Sequence, residues 1–493
     1  MKRKYKDHIK SLFHENEVHK IFGPAGTGKT TYLINELKKI FQAGIEPERI
    51  AFVSFTNRAV DELVMRCSQE FNHLDKEAFK FFRTIHSLCY RMGGNEEMQI
   101  IKQTDLCALG KKNGFEISTF RNLEDGFGIK QGDKVVNVES LARLRMTSLE
   151  EQWRDCNYEE LPFPMVKDWV DIYSAYKMNE KKIDFTDLLE NCDSVLDVDY
   201  LFIDECQDLS PLQWKVMSRA AENCKRVYIA GDDDQSIYGW AGAEIDYILN
   251  IKADKNEVLP KSYRLPEAIF KVSGQILKRI KQRQPKKYTH NGKKGIIEHV
   301  SGFDIVDYAK ETDCLVLCRN RWQIKDVKLH LEEIGVPYSV FNKSSLDCKE
   351  VEAVLYWENF RKGRELSPAQ YKVICKFSKK LKGILSARHV PKDFLDYKWF
   401  EIMDLMPNDM KNYIRRVVQS GHKINQMPKI NLSTIHQSKG GEADTVVLLT
   451  DVSTTVWENI HKDDEHRVWY VATTRAKNKL VIVQEQGTRY YQL

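Results

Sequence analysis

The chain contains no run of about eighteen apolar residues, which excludes an ordinary membrane-spanning helix. Its basic start, Met1-Lys2-Arg3-Lys4-Tyr5-Lys6, is not followed by the apolar core that a secretory signal needs. The 11 cysteines are scattered singly. Only Cys314 and Cys318 lie close, in an apolar run with no second pair, so neither a zinc site nor a disulfide framework is expected. Reduced thiols in a cytoplasmic protein fit this usage best. There is no repeat at a solenoid period and no low-complexity tract. A formal charge of +5 is too small to imply a nucleic-acid partner by itself. What is present, 493 residues with 42% hydrophobic and 30% charged, describes a globular protein of about two to four domains.

One stretch carries most of the chemical information. Gly23-Pro24-Ala25-Gly26-Thr27-Gly28-Lys29-Thr30 reads G-x-x-x-x-G-K-T between a short apolar entry and a segment with helical periodicity. Glycines let successive backbone N–H groups turn toward phosphate oxygens, and the helix that follows offers its positive end. Gly23, Ala25, Gly26, Thr27, Gly28, Lys29, Thr30 and Thr31 are therefore the candidate nucleotide-binding residues. Lys29 is placed to reach the β- and γ-phosphates and the Thr30 hydroxyl to ligate Mg²⁺. A Gly-rich turn that binds nothing is the alternative, and the order of strand, loop, Lys-Thr and helix speaks against it.

Apolar runs at 50–55, 200–203 and 226–230, with a strand-to-helix passage at 82–89, predict an α/β sheet interrupted by a helical insertion. The expected organisation is a first core over 1–92 and 185–255 with a helical insertion at 93–184. A second core follows over 256–345 and 425–493, with an insertion at 346–424. Strands are expected at 296–300, at 314–318, at 429–434, at 445–449, at 480–483 and, as a short edge strand, at 336–340.

Tyr200-Leu201-Phe202-Ile203-Asp204-Glu205 ends an apolar run in two carboxylates. Beside a phosphate loop, Asp204 can hold Mg²⁺ and Glu205 can orient or deprotonate an attacking water. Gly231-Asp232-Asp233-Asp234-Gln235 follows a further strand, and its three acids read either as a solvated loop or as part of a site. Gln235 can donate to a γ-phosphate, while Tyr238 and Trp240 offer flat faces to bases, unless the Trp is a core residue. Arg264, Lys439 and Arg475 read singly as surface cations. The basic stretch Lys278-Arg279, Lys281, Arg283, Lys286-Lys287 and Lys293-Lys294 reads as a solvated linker, with a phosphate-tracking surface as the alternative.

Taken in order, these pieces resemble a known family. The phosphate loop, Phe55-Thr56-Asn57, Thr84-Ile85-His86-Ser87, Asp204-Glu205-Cys206-Gln207-Asp208, Gly231 through Trp240, Tyr263-Arg264, the Thr434–Glu442 segment and Val471-Ala472-Thr473-Thr474-Arg475-Ala476 look like the motifs of the superfamily-1 DNA helicases of the UvrD/Rep/PcrA type. The resemblance runs from about residue 20 to residue 483 and is weakest across both insertions.

It implies two RecA-like P-loop NTPase cores of parallel sheets flanked by helices, each with a mainly helical insertion, and ATP bound between them. Lys29, Glu205, Gln235, Arg264 and Arg475 then become catalytic, the last two as arginine fingers. Tyr263 would stack on adenine and Glu442 would contact the ribose. Phe55, Thr56, Asn57, His86, Tyr238, Trp240, Thr434 and His436 match positions on single-stranded DNA. The implied activity is ATP-dependent, 3′-to-5′ translocation on single-stranded DNA and unwinding at single-strand/duplex junctions. The implied setting is the cytoplasm of a bacterial or phage-infected cell, by a monomer with a protein partner in repair, replication or defence. A DNA-stimulated ATPase serving as sensor or accessory subunit is the alternative. No nuclease domain is expected after Val483.

Three departures accompany the resemblance. The family's upstream adenine-reading Gln has no counterpart, since the first Gln is Gln42. Other purine triphosphates are therefore expected to be accepted, and near-complete rejection of GTP in steady state would refute this. Ala241 stands where Arg is common after the Trp, and Gly441 where Leu is usual.

Overall fold

A computed structural model describes residues 9–54, 57–70, 76–93, 98–119, 129–158, 160–308, 313–484 and 487–493. The chain divides into two compact units. The first holds the residues through 294 together with 453–474 and the terminal Leu493; the second holds 295–452 and 475–492.

The first unit is built on a six-stranded sheet. Its strands are β1 (Glu17–Phe22), β2 (Ile50–Ser54), β3 (Phe82–Thr84), β4 (Tyr200–Ile203), β5 (Arg226–Gly231) and β6 (Lys255–Val258), in the spatial order β3-β2-β4-β5-β1-β6. Every pairing is parallel. Alternate residues feed two cores. Ala51, Val53, Leu201, Ile203, Val227 and Ile229 pack on one face. Ile50, Phe52, Phe202, Tyr228 and Ala230 pack on the other. On that second face Phe202 stacks between Phe52 and Tyr228, with ring centroids 5.5 and 4.4 Å away. Burial on both faces is why these strands read as continuous apolar runs rather than as alternating ones. Strand β6 was not legible in this way, because Lys-Asn-Glu-Val at the sheet edge leaves its first residues exposed.

Residues 99–190 supply mostly helices. Ile101, Leu106, Phe115, Val135, Val138, Val166, Trp169 and Tyr173 form a hydrophobic cluster of their own. Four helices matter for the site: α1 (Lys29–Gln42), α2 (Ile85–Met92), α3 (Gln131–Arg145) and α4 (Glu267–Leu277). A fifth, α5 (Asp463–Thr473), packs on α4 and on the Asp233–Gln235 turn within this unit.

The second unit is a seven-stranded sheet of β7 (Ile296–Val300), β8 (Cys314–Cys318), β9 (Tyr338–Val340), β10 (Lys343–Ser344), β11 (Ile430–Thr434), β12 (Ala443–Leu449) and β13 (Ala476–Val483). The order is β10-β9-β11-β8-β12-β13-β7. All pairings are parallel except β9 with β10. The strand expected at the edge over 336–340 therefore lies one position inside it, because the chain turns back at Phe341-Asn342 and pairs antiparallel. The helices between Lys349 and Gln419 share one apolar core with this sheet, including Val351, Trp357, Ile402, Ile414, Val316 and Leu432. Two α/β units on parallel sheets flanked by helices are the RecA-like arrangement the sequence implied. No described helix is long and apolar enough to cross a membrane.

Candidate nucleotide site and nucleic-acid interface

In a parallel sheet every strand delivers its following loop to the same edge, and ligands bind there. The candidate residues of the first unit follow that rule. The Gly23–Gly28 loop follows β1, Asp204-Glu205 follow β4, and Asp232–Gln235 follow β5, three adjacent strands. Asn57 and His86 follow β2 and β3, the other two strands toward that side of the sheet. Strand order therefore sets Asn57 and His86 to one side of the residues expected to hold nucleotide, while Tyr238 and Trp240 follow Gln235 directly.

Gly28 takes a left-handed conformation (φ 79°) just before α1, and no side chain caps that helix. Its first-turn N–H groups are thus not claimed by a capping side chain, as anion binding requires. Lys29 lies back across Gly23: its Nζ donates to Gly23 O at 3.2 Å and pairs with Glu205 Oε1 at 3.4 Å. A Cβ on Gly23 would sit 1.9 Å from Lys29 Cγ, so only glycine admits this lysine. Burial works against the Lys29 ammonium, yet Glu205, Asp232 and Asp204 together hold its pKa above the usual value.

Thr30 Oγ1 donates to Asp204 Oδ2 at 3.3 Å, and the Glu205 N–H donates to Asp204 Oδ1 at 2.9 Å. Burial, then the adjacent Glu205 charge, pushes the Asp204 carboxyl up to about 7, with Lys29 opposing. Glu205 itself has φ 53°, a left-handed backbone outside glycine. Such strain costs about 1–3 kcal/mol and persists where surrounding structure holds it.

A chain of hydrogen bonds leaves Glu205. Gln207, fully buried, donates from Nε2 to Glu205 Oε2 at 2.6 Å and accepts the Asp232 N–H on Oε1 at 3.0 Å. Asp232 Oδ2 in turn accepts from Gln235 Nε2 at 2.6 Å. A carboxylate only accepts, so this bond fixes which end of the Gln235 amide faces it. Gly231 makes room: a Cβ there would meet Gln207 Oε1 at 2.5 Å. Gln207 was quoted in the sequence within its motif but given no role.

The three acids after β5 are not a solvated loop. Asp232, Asp233 and Asp234 are all fully buried, with carboxylate oxygens within 4.8 Å of one another. What lies among them is Lys286, whose side chain has no exposed surface. Its Nζ is 2.8 Å from Asp232 Oδ1, 2.8 Å from Asp234 Oδ2, and also bonded to Asp233. Arg283 clasps Asp234 through Nε and Nη2 at 2.7 and 2.5 Å. At Arg283 and Lys286 the expected solvated linker is thus corrected: burying three carboxylates requires compensating charge, and these residues supply it.

Ser262-Tyr263-Arg264 lies against the phosphate loop within the same unit. Ser262 Oγ donates to Ala25 O at 2.7 Å and the Tyr263 N–H to Gly26 O at 2.8 Å. A Cβ on Gly26, at φ 72°, would stand 2.3 Å from Arg264 Cβ. The Tyr263 ring remains 72% exposed, and Arg264 Nη1 donates to Thr474 O at 3.4 Å.

Of the residues assigned to nucleic acid, Phe55 and Thr56 lie outside the described residues; Asn57 begins the helix Asn57–Glu70. The α2 N-cap is Thr84, which accepts from the Ser87 N–H at 3.4 Å and sets His86 in the first turn. His86 is half-buried, its pKa lowered by burial, and its ring meets Phe185 edge-on at 5.6 Å. Tyr238 and Trp240 are half-buried and T-shaped at 6.1 Å. Arg145, at the end of α3, donates to Gly239 O at 2.8 Å and ties the helical insertion to the Trp240 loop, a link the sequence did not suggest.

The second unit carries Thr434, His436, Glu442 and Arg475. Thr434 and His436 are buried; Glu442 is exposed. Burial, then Arg319 and Lys439, holds His436 well below the usual imidazole pKa. Arg475 is 2% exposed and donates from Nη1 to Gly441 O at 3.1 Å, one residue before Glu442.

Comparison with known proteins follows this geometry. The UvrD/REP helicase N-terminal domain matches residues 5–256, just over half of the chain, and the UvrD-like helicase C-terminal domain matches residues 398–487. A probable DNA helicase II homolog of Mycoplasma capricolum is 26% identical over 307 residues, 56% of this chain and 41% of that protein. DNA helicase II of Haemophilus influenzae is 26% identical over 369 residues, 66% of this chain and 49% of that one. This chain thus spans less than half the length of both relatives. Among solved structures, an arterivirus nonstructural protein 10 helicase aligns with 98% of this chain and 63% of its own, at a TM-score of 0.37 and 10% identity. With more than half of its length matched by the N-terminal domain, phosphate loop included, the chain belongs to the UvrD/REP helicase family.

Proposed function

We propose that this chain is an ATP-dependent translocase on single-stranded DNA that unwinds duplex in the 3′-to-5′ direction. The observation that carries the reading is the Lys29–Glu205–Asp204–Thr30 cluster at the carboxyl edge of a parallel sheet, in a chain of this family. A hydroxyl and a buried carboxylate side by side are hard oxygen donors of the kind Mg²⁺ takes, and an incoming cation would relieve the raised Asp204 pKa. Thr30 and Asp204 would hold that ion, which neutralises charge on the transferring phosphoryl group.

The loop N–H groups and Lys29 bind the phosphates. Glu205 orients and deprotonates the attacking water, and Gln235 sets the position of the terminal phosphate. Tyr263, with its open face, stacks on the base, Glu442 meets the ribose, and Arg264 and Arg475 act as arginine fingers. His86, Tyr238, Trp240, Thr434 and His436 contact the DNA strand together with 55–57. Stacking on aromatic faces tolerates any base, as a motor that ignores sequence requires. The helical insertions take 93–184 and 346–424, while the boundary expected between the cores at 255/256 moves, since residues through 294 and those of 453–474 group with the first unit.

ATP turnover with and without single-stranded DNA, alongside displacement of 3′- and 5′-tailed duplexes, tests the reading. Stimulated turnover, displacement from the 3′ tail, and loss of both in Lys29→Ala and Arg475→Ala are expected. Stimulated turnover without displacement would instead assign the chain as a DNA-gated ATPase.

A further inference from the structure

We propose that Lys286 is a positioning residue for nucleotide hydrolysis, holding Asp232 so that Glu205 and Gln235 are presented together. The inference rests on the hydrolase reading above and adds to it a residue far from every motif that reading uses.

An ammonium has three donors, and Lys286 directs them at three carboxylates. The bond to Asp232 differs in consequence from the other two. Asp232 Oδ1 takes Lys286, its Oδ2 takes the Gln235 amide, and its N–H goes to Gln207, whose other end holds Glu205. Any shift of Asp232 therefore moves Gln235 directly and Glu205 through one intermediate. Arg283 gives both of its bonds to Asp234, so the cation that holds Asp232 itself is Lys286. Lys20, buried beneath the loop, adds a further cation whose field reaches Asp233. Lys20 and Lys286 each lie 5.8 Å from the Phe22 ring, one residue before the phosphate loop.

The segment carrying Lys286 is fastened on both sides. At one end the N–H groups of Lys281 and Gln282 donate to Asp463 Oδ2 at the start of α5, and Arg467 Nη2 donates to Gln282 O at 2.6 Å. Tyr288 and Tyr470 share a hydroxyl–hydroxyl bond of 3.1 Å. At the other end the Thr289 N–H donates to Pro260 O and the Ser262 N–H to Thr289 O, at 2.9 and 2.8 Å. That strand of backbone continues into the Ser262 and Tyr263 bonds on the phosphate loop. Lys286 is thus held in register with both α5 and the loop while it grips the acids. In a buried site a fixed ammonium is a rigid support, since leaving any of these charges unpaired is expensive.

Two variants test this, each checked for folding by circular dichroism. Lys286→Arg keeps the charge but places a planar fork where a compact ammonium meets three acceptors. Lys286→Met/Asp233→Asn removes one charge of each sign and leaves Asp232 and Gln235 themselves unsubstituted. In both, DNA-stimulated kcat is expected to fall about tenfold or more while nucleotide Kd stays within about twofold, the signature of a lost transition-state interaction. Wild-type kcat in either folded variant overturns the proposal, as does a loss confined to Kd or to thermal stability. Failure of both variants to fold assigns Lys286 a scaffold role and overturns it as well. Absence of turnover in the wild-type chain overturns the hydrolase reading, and this inference with it.

Discussion

At the scale of single residues, the site is organised around carboxylates that burial makes costly and cations that offset the cost. Glu205 is the sharpest instance: it holds a left-handed backbone, touches Lys29, and accepts from Gln207. Glu205→Gln keeps the size and the backbone while removing the carboxylate proposed as the base. Turnover is expected to fall by roughly 10²–10⁴-fold with nucleotide affinity nearly unchanged, read by steady-state kinetics and direct binding. His436 gives a pH prediction with a definite sign. Its folded pKa lies well below the unfolded value, chiefly through burial, so the unfolded chain takes up a proton below about pH 6.5 that the folded chain refuses. The stability this neutral ring contributes is present above about pH 6.5 and is lost progressively as the pH falls below it. Between pH 7.5 and 5.5, denaturant unfolding is expected to show a smaller loss of stability in His436→Gln than in the wild-type chain.

At the scale of elements, the helices of 99–190 and those of 349–419 differ in how they are held. The first group has its own apolar cluster, whereas the second shares the core of its sheet. Trp169 is fully buried in the first cluster and stacks on Tyr173 at 5.4 Å. Trp169→Ala is expected to cost about 3–5 kcal/mol. Because that cluster is separate from the sheet, the loss is expected as a distinct early unfolding step, with nucleotide binding retained until the sheet melts. A single transition that removes nucleotide binding at the same temperature would contradict this. Among the links that cross is the bond from Arg145 to Gly239, which joins α3 to the turn bearing Trp240, beside the packing of Leu144, Leu188 and Leu189 on the sheet's core.

At the scale of the whole molecule, the strand order β3-β2-β4-β5-β1-β6 places the phosphate loop, the Asp-Glu pair and the Gln235 turn on neighbouring strands. Asn57 and His86, which follow β2 and β3, lie to one side, and the Tyr238–Trp240 turn follows Gln235 directly. Removing a stacking face there is expected to uncouple DNA from hydrolysis rather than stop hydrolysis. Trp240→Ala should weaken single-stranded DNA binding by about 1–3 kcal/mol, with basal ATP turnover retained. Fluorescence titration with an oligonucleotide, together with ATPase assays at saturating DNA, checks both halves of that expectation.

How much of this was legible before folding follows from distance along the chain. The phosphate loop and the strand ending in Asp204-Glu205 are local patterns, set by the backbone needs of a few consecutive residues, so sequence alone determined them. The continuous apolar runs likewise determined parallel sheets buried on both faces. Tertiary structure alone decided that Lys286 fills the space among Asp232, Asp233 and Asp234, that Arg264 meets Gly26, and that Lys343–Ser344 displaces its neighbour from the sheet edge. Each of these joins residues whose pairing leaves no periodic trace. A buried acid must find a cation, but nothing in its own neighbourhood of the chain says which one the fold will bring.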